Sequence, residues 1–214
     1  MYSGNPYNKY VIFSHLIPKG KATMAIENHI IERDVSPPVK YDVRELVIDD
    51  ASEYKRIRLE ALKSHPNAFA ETHEEFGEKS IEDIRAEISG LRETGGFAVG
   101  AFSPEGNLLG MIGVARSSYK KLQHRGHVWG VYVTPSARRA GIIRSLFDCI
   151  IKIAREMDDL VQLDIEAVTS NVVALKLYKS VGFGVCGTQP RAIKVGSEYF
   201  DEYLLVLNLD KVKR

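Results

Sequence analysis

Residues 128–147 read VWGVYVTPSARRAGIIRSLF, and the two halves of this stretch obey different periods. Up to Val133 it is short, β-branched and aromatic, the composition of a strand. Thr134 and Pro135 break it. From about Arg139 to Met157 the apolar residues Ile143, Leu146, Phe147, Ile150, Ala154 and Met157 recur at helical spacing, with Arg144, Asp148, Lys152 and Arg155 on the opposite face. A strand therefore runs directly into a helix whose mouth carries Arg138, Arg139, Gly141 and Arg144. A helix N-terminus leaves several N–H groups unpaired and is partly positive. A glycine there lets an anion approach the backbone. Arginines in the first turn oppose the helix dipole, which makes sense if an anion fills the site; the plainer alternative is a solvated first turn.

The elements on either side extend this pattern. Upstream, alternation from Val43 predicts a strand closed by Asp49 and Asp50, either of which can cap the helix that carries Ile57, Leu59, Ala61 and Leu62. A more acidic helix starts at Ser80, with Asp83 as a capping-box partner, and ends at Gly95 and Gly96. Strands over 97–102 and 108–117 follow, joined by a turn through Gly106 and Asn107, and then the strand over 126–133. Downstream come a strand over 160–168, a shorter helix over 172–181, the breaker Gly182, and two long strands meeting at Gly196 and Ser197. This order fits a mixed sheet with helices on both faces.

Composition sets the outer limits. The chain has 214 residues, 44% of them apolar and 27% charged, enough apolar residues to bury a core. Twenty-nine basic against 28 acidic side chains leave a net charge of +1, too little for a broad nucleic-acid or anionic-membrane surface. Cys149 and Cys186 form no metal-binding or disulfide pattern, so no metal is expected. No apolar run approaches the roughly 20 residues of a membrane span, and no signal peptide is evident. A cytoplasmic location is the expectation. Residues 1–40, broken by Gly4, Pro6, Pro18, Gly20, Pro37 and Pro38, read as an irregular N-terminal extension, and 41–214 as one domain.

The stretch contains neither G-x-G-x-x-G nor G-x-x-x-x-G-K-[ST], which excludes the dinucleotide and P-loop readings. Arg138-Arg139-Ala140-Gly141-Ile142-Ile143 does resemble the cofactor motif [QR]-x-x-G-x-[GA] of the GNAT superfamily of acyl-CoA-dependent N-acyltransferases, with Ile143 where that family has a small residue. A second segment strengthens the resemblance. Residues 171–183, NVVALKLYKSVGF, match N-x-x-A-x-x-L-Y-x-x-x-G-F at Asn171, Ala174, Leu177, Tyr178, Gly182 and Phe183. The likeness extends over 41–214.

The resemblance implies an α/β (α+β) fold: a mixed, mostly antiparallel sheet of about seven strands, flanked by about four helices and splayed between its fourth and fifth strands. It implies acetyl-CoA as cofactor. The backbone of Val131, Tyr132 and Val133 would receive the pantetheine and acetyl carbonyl. The N–H groups from Arg139 to Arg144 would receive the pyrophosphate, with Arg138, Arg139 or Arg144 near its oxygens. Asn171 would hold the pantetheine amide, though it equally suits a helix N-cap, and Ala174 belongs to the same wall. Tyr178 corresponds to the residue that protonates the departing thiolate; a phenol with an ordinary pKa near 10 is protonated at neutral pH. Glu166 is the first candidate for general base and His127 the second. Trp129 fits either the acceptor pocket or the core.

The expected function is N-acetyl transfer from acetyl-CoA to a primary amine by direct attack in a ternary complex; the alternative is a catalytically silent acyl-CoA-binding module of the same fold. The acceptor would be a small molecule or a peptide amine. The acidic run Glu71, Glu74, Glu75, Glu78, Glu82, Asp83 and Glu87 could attract a polycation or simply face solvent. The last hairpin either closes its own sheet or pairs across a homodimer.

Overall fold

In a computed structural model the described residues are 39–209, so nearly all of the expected N-terminal extension lies outside them. The elements run β1 (Asp42–Glu45), α1 (Ala51–Ser64), α2 (His73–Gly77), α3 (Ile81–Glu93), β2 (Phe97–Phe102), β3 (Leu108–Arg116), β4 (Arg125–Val133), α4 (Ile142–Glu156), β5 (Gln162–Val168), α5 (Val172–Val181), β6 (Gly184–Val195) and β7 (Glu198–Asn208). The seven strands form one sheet in the order β1-β2-β3-β4-β5-β7-β6. Every neighbouring pair is antiparallel except β4 and β5. The middle of the sheet is covered on both faces, all six residues of β2 being buried, while β6 at the far edge is largely exposed.

Two apolar clusters do the covering. On one face Ile142, Leu146, Phe147 and Ile150 of α4, with Leu175 and Tyr178 of α5, pack on Val99, Ile112, Val114 and Ile165. On the other, Ile57, Ala61 and Leu62 of α1, Phe76 of α2, and Ile84 and Ile88 of α3 pack on Ala98, Phe102 and Met111. Alternate residues of β2 thus serve opposite cores, as period-two geometry requires. The α4 stripe read from the sequence is the buried stripe of the first cluster.

Three local readings change. The first strand ends at Glu45, because Ile48–Asp50 wind into a 3-10 turn. Asp50 serves that turn, accepting from the Val47 N–H at 2.8 Å and from Arg44 at 2.7 Å, and makes no side-chain cap on α1. Helix α4 begins at Ile142 instead of Arg139, since Arg139 and Gly141 both hold positive φ, 67° and 82°, which a right-handed helix excludes. The Ser80–Asp83 capping box forms as read, Ser80 Oγ accepting from the Asp83 N–H at 3.1 Å.

Candidate active site

The site begins with one glycine in β4. Gly130 has φ of 67°, and the register with β3 shifts there. Gly113 sits opposite Trp129 and Met111 opposite Tyr132, so Ile112 alone faces two residues of β4. That is a β-bulge, which bends the strand carrying it. On its other side β4 pairs with β5 only from Arg125 to His127, against Gln162 to Asp164. Past that point the two parallel strands part. The edge of β4 that would have met β5 opens into a cleft of about 1190 Å³, lined on that strand by Val131, Tyr132 and Val133.

At one end of the cleft is the turn between β4 and α4. Arg138, Arg139, Gly141, Ile142 and Ile143 line it. Among the described residues the backbone N–H groups of Arg139 to Ile143 have no backbone acceptor, whereas those of Arg144 and Ser145 both donate to the Gly141 carbonyl at 3.0 and 3.1 Å. Free amides in a loop with left-handed residues, at the start of a helix, form a concave anion site. Arg144 departs from the sequence reading. Its N–H is used, and its guanidinium donates to Asp148 at 3.2 Å and to the Ser180 carbonyl at 3.1 Å, holding it along α4. Ala140 packs against the core beneath the turn. Ile143 is half-buried on the same core and also faces the cleft. Arg138 is anchored on the Val133 carbonyl at 3.2 Å.

Helix α5 forms the opposite wall. Asn171 caps it, its side chain accepting from the Ala174 N–H at 3.1 Å, and both residues line the cleft. Tyr178 is 7% exposed, its ring edge-on to Phe147 at 5.7 Å and tilted on Phe183 at 6.2 Å. Its hydroxyl makes no hydrogen bond among the described residues, yet the residue lines the cleft. Burial first, then the charge of Glu166, raises the phenol pKa well above its ordinary value. Tyr178 is therefore a neutral donor with its proton unused.

A titratable cluster occupies the floor where β4, β5 and β7 meet. His127 Nδ1 lies 3.3 Å from Glu166 Oε2 and 3.9 Å from Asp164 Oδ2, and Arg125 holds Asp164 at 3.2 Å. Glu202 of β7 joins them on the cleft wall. Its pKa is raised by burial and then by Glu166, against an opposing pull from His127. The polar face of β5 read from the sequence is thus real: Gln162, Asp164 and Glu166 are half-buried while Leu163, Ile165 and Ala167 are buried. At the far end Trp129 lies across Gly113, where a Cβ would sit only 2.3 Å from the indole, and meets Tyr54 edge-on at 6.4 Å. Trp129 lines the cleft and also packs against the second core, as the core reading of it expects.

The acidic run is mostly spent on structure. The carboxylates of Glu75 and Asp83 accept the Thr72 and Ser80 N–H groups at 2.9 and 2.8 Å in the capping boxes of α2 and α3, while Glu71 and Glu87 pair with Lys79 at 2.7 and 2.5 Å. Of the run, Glu71 is the member that lines the cleft.

A sheet split at its parallel pair, over an anion turn, invites comparison with known families. The acetyltransferase (GNAT) domain family matches residues 43–204. This chain belongs to the GNAT family. Similar solved structures include a GNAT-family acetyltransferase from Streptococcus pneumoniae, with a TM-score of 0.71 and 19% identity over 79% of this chain and 99% of that one. Another is a putative acetyltransferase from Salmonella typhimurium solved with its cofactor acetyl-CoA, TM-score 0.71, 18% identity, covering 82% and 97%. A third is a ribosomal-protein-alanine N-acetyltransferase from Brucella melitensis, TM-score 0.68, 22% identity, covering 78% and 99%. At these identities the likeness is one of fold.

Two features of this GNAT domain escaped the sequence reading. Gly130 was legible as a glycine inside a strand, the usual mark of a bulge. Glu202 gave no local signal, because only the antiparallel pairing of β7 with β5 carries it to Glu166.

Among the described residues no helix is long and apolar enough to cross a membrane.

Proposed function

We propose that this GNAT domain transfers an acetyl group from acetyl-CoA to a primary amine by direct attack in a ternary complex. The observation that carries the reading is the cleft itself: an unpaired strand edge, a turn of free amides at one end, and a buried, uncommitted phenol between them. Acetyl-CoA would supply the activated thioester. The amides of Arg139 to Ile143, with Arg138 and Arg139 beside them, suit its pyrophosphate. The free edge at Val131 to Val133 suits the amide-bearing pantetheine arm, and Asn171 and Ala174 form the facing wall.

In the transfer an N–C bond forms to the acetyl carbon and the C–S bond breaks. Glu166 takes the proton from the attacking amine, directly or through water, with His127 at 3.3 Å as its neighbour. Tyr178 gives its proton to the departing sulfur; its hydroxyl is protonated at neutral pH, as any ordinary phenol is, and is uncommitted among the described residues. Thermal denaturation with and without acetyl-CoA, coupled to thiol release across a panel of amines, tests the whole reading. Acetyl-CoA should raise Tm by several degrees, as a ligand bound to the native state alone must, and one amine class should release thiol. Absence of both effects defeats the proposal.

A further inference from the structure

Two residues of the cleft lining carry buried N–H donors with nothing to donate to among the described residues. Arg58 of α1 is 8% exposed, and its Nη1 has no hydrogen-bond partner among the described residues; the same is true of Trp129 Nε1. Both residues line the cleft. They flank one aromatic patch: Trp129 meets Tyr54 edge-on at 6.4 Å, Tyr54 meets Phe76 at 6.1 Å, and the Arg58 guanidinium lies 5.9 Å from the Phe76 ring and 4.8 Å from the Phe69 ring.

Arginine stays charged in a protein, so this guanidinium is a cation withdrawn from water. Its one carboxylate neighbour serves it poorly. Glu71 reaches Nη2 at 3.5 Å with one oxygen, while its other oxygen is held by Lys79 at 2.7 Å. Buried polar groups are almost always satisfied, and an unsatisfied charged donor at a cleft is where a ligand belongs. The missing partner must be an acceptor, must carry negative charge to complement arginine, and must enter from the cleft. A carboxylate meets all three conditions and suits the planar guanidinium.

We infer that the acceptor amine carries a carboxylate, as a free amino acid does, and that Arg58 and the Trp129 N–H receive it. This rests on the N-acetyltransferase reading above, and it narrows the acceptor expectation: of the acidic run Glu71 alone lines the cleft, shared between Lys79 and Arg58, whereas the lining donor left without an acceptor is cationic.

Thiol release from acetyl-CoA is measured with the twenty common amino acids, their α-amides and the corresponding decarboxylated amines. At least one amino acid should exceed its amide and its decarboxylated amine in kcat/KM by roughly 30-fold or more, because a site with a buried donor rejects an analogue lacking the acceptor. The α-amides of aspartate and glutamate separate the two sources of the carboxylate: turnover restricted to them would assign the site a side-chain carboxylate. Arg58→Met keeps the apolar stem and removes the charge, and should cut the preference for acid over amide to within a few-fold. Trp129→Phe, which keeps a ring and loses the N–H, should reduce the same ratio by about tenfold. If Arg58→Met does not fold, Trp129→Phe and the wild-type substrate series decide alone. Equal turnover of acids and amides, or turnover of carboxylate-free amines only, overturns the inference while leaving acetyl transfer intact. A protein that binds acetyl-CoA and acetylates none of the acids or the aspartate and glutamate amides also overturns it. A protein that does not bind acetyl-CoA removes both readings together.

Discussion

Tyr178 divides its side chain between packing and the cleft. Its ring is core, wedged between Phe147 and Phe183, while its oxygen is uncommitted. Tyr178→Phe should therefore keep the packing and lose only the proton. The expected result is a fall in kcat of roughly 10²–10⁴-fold, the usual contribution of a positioned acid, with the acetyl-CoA-induced rise in Tm unchanged. A Phe variant as fast as wild type would remove Tyr178 from the mechanism. Glu166 can be tested separately, because its proposed role concerns the other proton. If it is the base, Glu166→Gln should lower kcat by roughly 10²–10⁴-fold and leave the acetyl-CoA-induced rise in Tm unchanged. An unchanged kcat would assign the base elsewhere in the cluster, with Glu202 and His127 the nearest alternatives.

Among the elements, β4 decides whether there is a site at all. The bulge at Gly130 holds φ at 67°, and no atom lies within 4 Å of where its Cβ would stand, so a side chain there would be opposed by the backbone alone. A β-branched residue in that conformation costs about 1–2 kcal/mol or more, and the cheaper response is for the strand to straighten and close on β5. Gly130→Val should accordingly raise the KM for acetyl-CoA at least about tenfold with only a modest loss of Tm; an unchanged KM would mean that the split does not depend on the bulge. The same element shows what the sequence could and could not disclose. The strand, the turn and the amphipathic helix were legible because period two gives way to period 3.6 within twenty residues, and the apolar stripe of α4 was legible because packing demands it. The start of α4 was misplaced by three residues, since left-handed geometry at Arg139 leaves no trace in a non-glycine residue. Helix α2 was hidden by its length of five residues. The approach of Glu202 to Glu166, and of Arg58 and Trp129 to one aromatic patch, depends on contacts distant in sequence, which no local pattern encodes.

Taken as a whole the molecule is nearly neutral, at +1, so its response to pH is set by the cleft instead of by a global field. Glu202 is the group to watch. Its ordinary pKa of 4.5 is raised in the folded chain by burial and by Glu166, so folding favours its protonated form. The stability this contributes is fully present below about pH 4.5 and is lost as pH rises through the elevated folded value. Glutamine imitates the protonated carboxyl at every pH. Glu202→Gln should therefore match wild type at pH 4 and exceed it at pH 7, by no more than about 0.5 kcal/mol because the group is only half-buried, on the wall of an open cleft, and solvent screens it. For a domain of this size that is a rise of roughly 1–2 °C in Tm, within reach of calorimetry at the two pH values. Acetyl-CoA-free protein is the right sample, since a bound ligand would add its own linkage. An equal gain at both pH values would attribute the effect to packing and leave Glu202 ionised at no cost beside Glu166. A gain confined to pH 7 would show that the cluster at the junction of β4, β5 and β7 resists holding two charged glutamates together, which is the electrostatic state a general base in this cleft requires.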